Sequence, residues 1–221
     1  MDIEFLDFNG SDALFGKRFA AEWQEVAAAL ESIQPHLKES DQANIQGNLI
    51  FDPVGTNWAI KDKLEKCGWH PNVTMHSDFS FLGTDVDFVK SGVLVEVQFS
   101  NYPFLLNNTV RAELLFKSRL PMAKAPIDAL VVITKAHMFP ASNSTLYYEQ
   151  AVKQLTELAR HRVLDIPIRL VGLFTRRGLI DATFTGYHTA RYSRTVVDRS
   201  SRKCRVSAGP TGRSRTKISF A

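Results

Sequence analysis

A chain of 221 residues, 44% hydrophobic and 10% aromatic, is long enough to bury a core, yet no apolar run approaches the roughly 20 residues that a membrane span needs. Its start, MDIEFLDFNGSD, is acidic where a secretory leader is basic and then apolar, so a soluble cytoplasmic protein with no membrane partner is expected. The net charge of +4 conceals an uneven distribution: residues 191–221 hold nine Lys or Arg against the single acid Asp198, while the rest has 18 basic and 22 acidic residues.

Taken in chain order, Phe19, Trp23, Val26, Leu30 and Ile33 recur at helical spacing and predict one helix over Ala13–Ile33, stopped before Pro35. Asn57–Cys67 predicts a second, shorter helix closed by Gly68. Cys67 and Cys204 lie apart from each other and from any C-x-x-C or His pairing, which indicates neither a zinc site nor a disulfide framework. The Asn-x-Thr triplets at Asn72, Asn107 and Asn143 have no meaning as glycosylation acceptors in a cytoplasmic chain.

Thr84–Phe99, TDVDFVKSGVLVEVQF, reads as a hairpin turning at Ser91-Gly92, with 90 facing 93, 89 facing 94, 87 facing 96 and 85 facing 98. Alternation then sets Asp85, Asp87, Glu96 and Gln98 on one face, and Val86, Phe88, Val95, Val97 and Phe99 on a core face. Opposed carboxylates repel, so either the acids are simply hydrated or a cation sits between them. With no His or Cys at hand, a hard oxygen-liking ion such as Mg²⁺ suits the second reading. An Asp, a turn and then Glu-x-Gln in a Val-rich strand outline the nuclease pattern D…(D/E)-x-K, with Gln98 in place of the Lys.

FLLNNTVRAELLFKSRL from Phe104 predicts a third helix beside this hairpin. Ile127–Thr134 and Ile166–Phe174 are apolar enough for strands buried on both faces, and between them Thr145–Arg160 predicts a helix behind the capping sequence Ser-Asn-Ser. Lys135 and His137 are read as structural. RYSRTVVDRS at 191–200 mixes Tyr and Val with its charges, as an ordered strand does, and GPTGRSRTK at 209–217 reads as a looser end. Strands joined through helices predict an α/β fold, a mixed central sheet flanked by helices in one domain over 1–221, with 175–221 a basic, β-rich extension suited to a phosphate-rich partner.

FLGTDVDF, LVEVQFSNYPFLLNNTVR, ITKAHMFPASNSTLYYEQA, IPIRLVGL and RYSRT, with SDQANIQGNLIFDPVGTN from Ser40, resemble the BglII-like type II restriction endonucleases of the PD-(D/E)-x-K superfamily, over a span from Ser40 to Arg194. That resemblance implies a restriction-endonuclease-like fold and a homodimer that binds double-stranded DNA. It further implies Mg²⁺-dependent cutting of a palindrome with a GATC core, AGATCT, after its first base, leaving 5′-phosphate ends. On the matching positions, Asp87, Glu96 and the Val97 carbonyl would serve the metal, Glu96 and Gln98 would position the attacking water, and Asn72 would support the same site. Ser100, Asn101, Arg111, Asn143, Ser144, Tyr192 and Arg194 would face bases or backbone, although the residues alone favour helix capping for Asn143 and Ser144, and a structural ion pair, for instance with a helical Glu, is the alternative for Arg111. Gln98 has no basic group, so deprotonation of water falls to the metal, a neighbouring phosphate or Glu96. A nuclease of different specificity and a non-cleaving DNA-binding module are the competing classes.

Overall fold

The computed structural model describes residues 1–142, 145–189, 195–209 and 216–221. Strand β1 (Asp2–Phe8) leads into a short helix α1 (Ser11–Phe15) and then α2 (Ala20–Ser32). The single helix expected over Ala13–Ile33 is thus two. Gly16 caps α1 through its N–H to the Asp12 carbonyl, and the turn that follows lets Phe15 and Phe19 both point into the core. Strands β2 (His36–Glu39) and β3 (Leu49–Phe51) precede α3 (Pro53–Lys66). That helix starts four residues before the expected Asn57, because Asp52 accepts the Val54 N–H as its N-cap and Pro53 occupies the first turn. After β4 (His70–Thr74) and a 3₁₀ segment, Ser77–Leu82, come β5 (Asp85–Lys90), β6 (Val93–Val97) and α4 (Pro103–Ser118). A two-stranded ribbon, β7 (Pro121–Met122) with β8 (Ala125–Pro126), leads to β9 (Ala129–Lys135), α5 (Tyr148–Arg160) and β10 (Ile168–Phe174). The chain closes with β11 (Gly178–Tyr187), β12 (Val196–Ala208) and β13 (Thr216–Phe220).

The central sheet has six strands in the order β1-β10-β9-β6-β5-β4 and is mixed: β10, β9 and β6 run parallel, and the outer pairs are antiparallel. Both of its faces are covered. Val93, Val95, Val97, Val131 and Ile133 join a core shared with α2, α3 and the second sheet, while Leu94, Leu130, Val132 and Leu170 pack under α4 and α5. This explains why β6 and β9 are buried along their whole length.

The second sheet, β13-β12-β11-β2-β3, is assembled from two distant parts of the chain, with β2 running parallel to β11. Its C-terminal strands show order over 196–200; of the looser end expected over 209–217, residues 210–215 lie outside the described residues, and Thr216 and Lys217 belong to a strand. Thr216–Phe220 pairs with Cys204–Ala208, because Thr216 and Ile218 bury their side chains while Lys217 stays outside. Cys204 is buried in β12 and Cys67 is exposed, and neither is in a disulfide.

Candidate active site

The β5–β6 turn forms as expected, with positive φ at both Ser91 (52°) and Gly92 (91°), and the register runs Lys90↔Val93, Val89↔Leu94, Phe88↔Val95. The ladder then stops. The expected pairs 87 with 96 and 85 with 98 are absent, because the Asp87 carboxylate accepts the Val97 N–H at 2.7 Å. An unbroken antiparallel ladder would hand that N–H to the carbonyl of Val86. The side chain therefore replaces a backbone partner and parts the two strands at the functional end. Alternation is reset at the same point: Val86 packs with Val89 and Leu94, and not on the face of Phe88 and Val95 where it was expected.

The four polar side chains assigned to one face also separate. Asp85 is exposed, and its carboxylate is bonded by the Thr84 hydroxyl. Glu96 (2% exposed) and Gln98 (5%) are buried, and Asp87 is half-buried. Asp87 and Glu96 meet within hydrogen-bond reach. Burial, and then the Asp87 charge, push the Glu96 carboxyl up to about 8 against the restraint of Arg111, while burial raises Asp87 against its bond from Val97. Asn72 lies on β4 between the pairs Pro71↔Phe88 and Val73↔Val86, which puts it across from Asp87; its φ of 48° is left-handed and its side chain is exposed.

Arg111 on α4 is buried. Its guanidinium donates to Glu96 at 2.6 Å, to the Asp85 carbonyl at 2.9 Å and to Asn108 Oδ1 at 3.3 Å. The carboxylate partner in this ion pair is Glu96 of β6. Gly83 makes room for this group: a Cβ there would stand 2.5 Å from an Arg111 nitrogen. Asn108, one helical turn earlier on α4, was missed from sequence. It donates to Gln98 Oε1 at 3.1 Å, and Gln98 Nε2 donates in turn to Ser100 Oγ at 2.9 Å and the Asn101 carbonyl at 3.3 Å. The only signal available was its three-residue offset from Arg111, which places both on one helix face.

Ser100 and Asn101 are exposed directly beyond β6. Asn143, Ser144, Tyr192 and Arg194 lie outside the described residues. Among the described residues that follow Ser144, Thr145 Oγ1 donates to the Phe99 carbonyl at 2.7 Å, and the Leu146 N–H to the Ser100 carbonyl at 2.9 Å. These bonds keep Thr145–Tyr147 out of helix α5, which starts at Tyr148 and not at the expected Thr145. Lys135 is a buried post at the same junction, donating to the Phe99 and Leu146 carbonyls and to Thr145 Oγ1. His137 stacks edge-on against Tyr147.

Among the described residues no three His, Cys, Asp or Glu side chains gather into one metal cluster. The donors at the site are two carboxylates in contact, both with raised affinity for protons and countered by one guanidinium. An all-oxygen pair short of positive charge fits a hard divalent cation and not a thiophilic one.

Comparison with known proteins places this geometry. The family described as restriction endonuclease BglII/BglIII matches residues 3–173. The chain is 50% identical over 207 residues to the type II restriction enzyme BglII of Bacillus subtilis, covering 93% of this chain and 92% of that one. The crystal structure of BglII complexed with a DNA 16-mer superimposes with a TM-score of 0.94 at 48% identity, and that of free BglII with 0.75 at 44%, each covering 100% of both chains.

Proposed function

The chain belongs to the BglII/BglIII family of restriction endonucleases and is a type II site-specific deoxyribonuclease; from that premise we propose that it makes Mg²⁺-dependent double-strand cuts at AGATCT, after the first base, leaving 5′-phosphate ends. The observation that carries this reading is the contact of Asp87 with Glu96 where β5 and β6 part, two residues before Gln98, which bonds to the Ser100–Asn101 loop.

Asp87, Glu96 and the Val97 carbonyl would hold the ion, and Asn72 would support it from the neighbouring strand β4. When bound, a divalent ion neutralises charge on the phosphate and acidifies a coordinated water. The chain's own groups do the rest. The Val97 N–H fixes the Asp87 carboxylate, and Arg111 fixes Glu96. Gln98 orients and does not take a proton, because an amide has no basic site at neutral pH. Ser100 and Asn101, with Asn143 and Ser144, would read base edges, while Tyr192, Arg194 and the exposed Arg202, Lys203, Arg205 and Lys217 of the second sheet would meet the backbone. Digestion of a fully sequenced plasmid with Mg²⁺ tests the reading: the expected result is a single fragment set whose termini carry GATC overhangs. Nicks at scattered positions, or binding without cutting, would favour the competing classes.

A palindromic target is most simply read by two identical subunits, each cutting one strand. Helix α4 carries a surface suited to that dimer. The N-cap Tyr102 and, in the helix, Leu106 and Val110 repeat every fourth residue with about half their area exposed. Sedimentation with a one-site duplex is expected to give two chains per duplex, reduced to one by Leu106→Glu with Val110→Glu; two chains persisting in the double variant would place the dimer contact elsewhere. We take residues 1–221 as one domain, with 175–221 its DNA-backbone-binding extension. No helix among the described residues is long and apolar enough to cross a membrane; we take the enzyme to act in the cytoplasm, where its proposed DNA substrate would be met.

A further inference from the structure

The buried amides beside the carboxylates have only one consistent orientation. A guanidinium donates and never accepts, so Arg111 must face the Asn108 carbonyl oxygen, and it does, at 3.3 Å. That leaves the Asn108 amino group to meet Gln98, which must present Oε1 to it, at 3.1 Å. The Gln98 amino group is consequently turned outward to Ser100 Oγ and the Asn101 carbonyl. The direction of every bond from Glu96 to the loop beyond β6 is set by one charged donor at the inner end. Asn108 is 8% exposed and Gln98 5%, so neither can reverse its amide without leaving donor against donor in the interior.

We infer that Asn108 is a positioning residue that makes this site require a neutral amide at position 98 and holds the Ser100–Asn101 loop in register with the carboxylates. The inference rests on the endonuclease reading above. Gln98→Lys, which installs the usual residue of the D…(D/E)-x-K pattern, would oppose an ammonium to the Asn108 amino group and add a second cation beside Arg111. Asn108→Asp reverses the need: the new carboxylate accepts from Arg111 and from the introduced ammonium, whose remaining N–H groups still reach Ser100 and Asn101. Gln98 and Asn108 are then one functional pair whose members change together.

A double-mutant cycle tests this. Gln98→Lys and the isosteric Asn108→Asp are each expected to lower single-turnover cleavage of the cognate duplex by at least about 100-fold, and the double variant to exceed either single by at least about tenfold. Thermal unfolding of the metal-free proteins supplies a second reading: each single is expected to melt below wild type, and the double to melt above both. Additive effects on cleavage and melting, with active wild type, would overturn the inference. Coupled melting with additive cleavage would also overturn it, reducing the contact to packing. A wild-type protein that cuts no DNA would instead strike down the endonuclease reading and the inference with it.

Discussion

Asp87→Asn is expected to abolish cleavage, lowering the single-turnover rate by at least about 10³-fold, while leaving specific DNA binding in Ca²⁺ intact or tighter. The variant keeps the shape of the site, since the Asn carbonyl can still accept the Val97 N–H that Asp87 takes at 2.7 Å. What it removes is one of the charges that a cation needs and that DNA phosphate repels. It also changes the response to pH in a definite direction. Glu96 is held up to about 8 in the fold, above its ordinary value of 4.5, by burial and then by Asp87. A carboxyl raised in the folded state contributes stability that is fully present below about 4.5 and is lost as the pH rises through 8. The metal-free wild type is therefore expected to melt at falling temperature across that window, and Mg²⁺ or Ca²⁺ to restore it. Asp87→Asn deletes the Coulombic part and offers Glu96 an amide donor, so its profile flattens and its melting temperature at the alkaline end exceeds wild type. Full cutting by this variant, or an unchanged pH profile, would show that the two carboxylates are not coupled at an active centre.

Lys135→Met should cost about 2–4 kcal/mol of folding stability, since three acceptors lose a charged donor inside the protein. Lys135 is 1% exposed, its ammonium lies 5.1 Å over the Tyr147 ring and 5.5 Å over Phe51, and it donates to the Phe99 carbonyl at 3.0 Å and the Leu146 carbonyl at 3.1 Å. Those carbonyls belong to the segments that lead to Ser100 and away from residues 143–144, both expected to touch DNA. Methionine fills the space and bonds to neither, so the segments lose their common anchor. Cleavage should fall by roughly 100-fold, because a displacement of about 1 Å at a reacting centre has that effect. Urea unfolding beside single-turnover cleavage checks both numbers, and a variant as stable and active as wild type would reduce Lys135 to filler.

Several parts of this architecture were legible in the chain. The Ser91-Gly92 turn, the Val-rich strand that follows and the apolar stretches of β9 and β10 are short-range signals, set by backbone sterics and by a period of two or by continuous burial. The same stretches placed Asp87, Glu96 and Gln98 within a few residues of a tight turn, which brings them together whatever the rest of the molecule does. Helix ends were less legible. Gly16 divides the first predicted helix, and Leu146 gives its N–H to Ser100 and not to a helix, a choice made by a partner far away in the chain.

The sequence by itself determined the acidic pair, the amide beside it and the basic character of the last strands, because residue type and local spacing are enough to bring chemistry to a turn. Only the tertiary structure decided how that chemistry is tuned. Glu96 is buried and Asp85 exposed because both faces of the sheet are covered at β6 while β5 splays at Asp87. Arg111 and Asn108 become part of the site because α4 folds back onto the strand that precedes it. The second sheet joins β2 and β3 to strands from the end of the chain. Such pairings gain their energy from burial and complementary donors across long loops, and neither leaves a periodic mark on the residues in between.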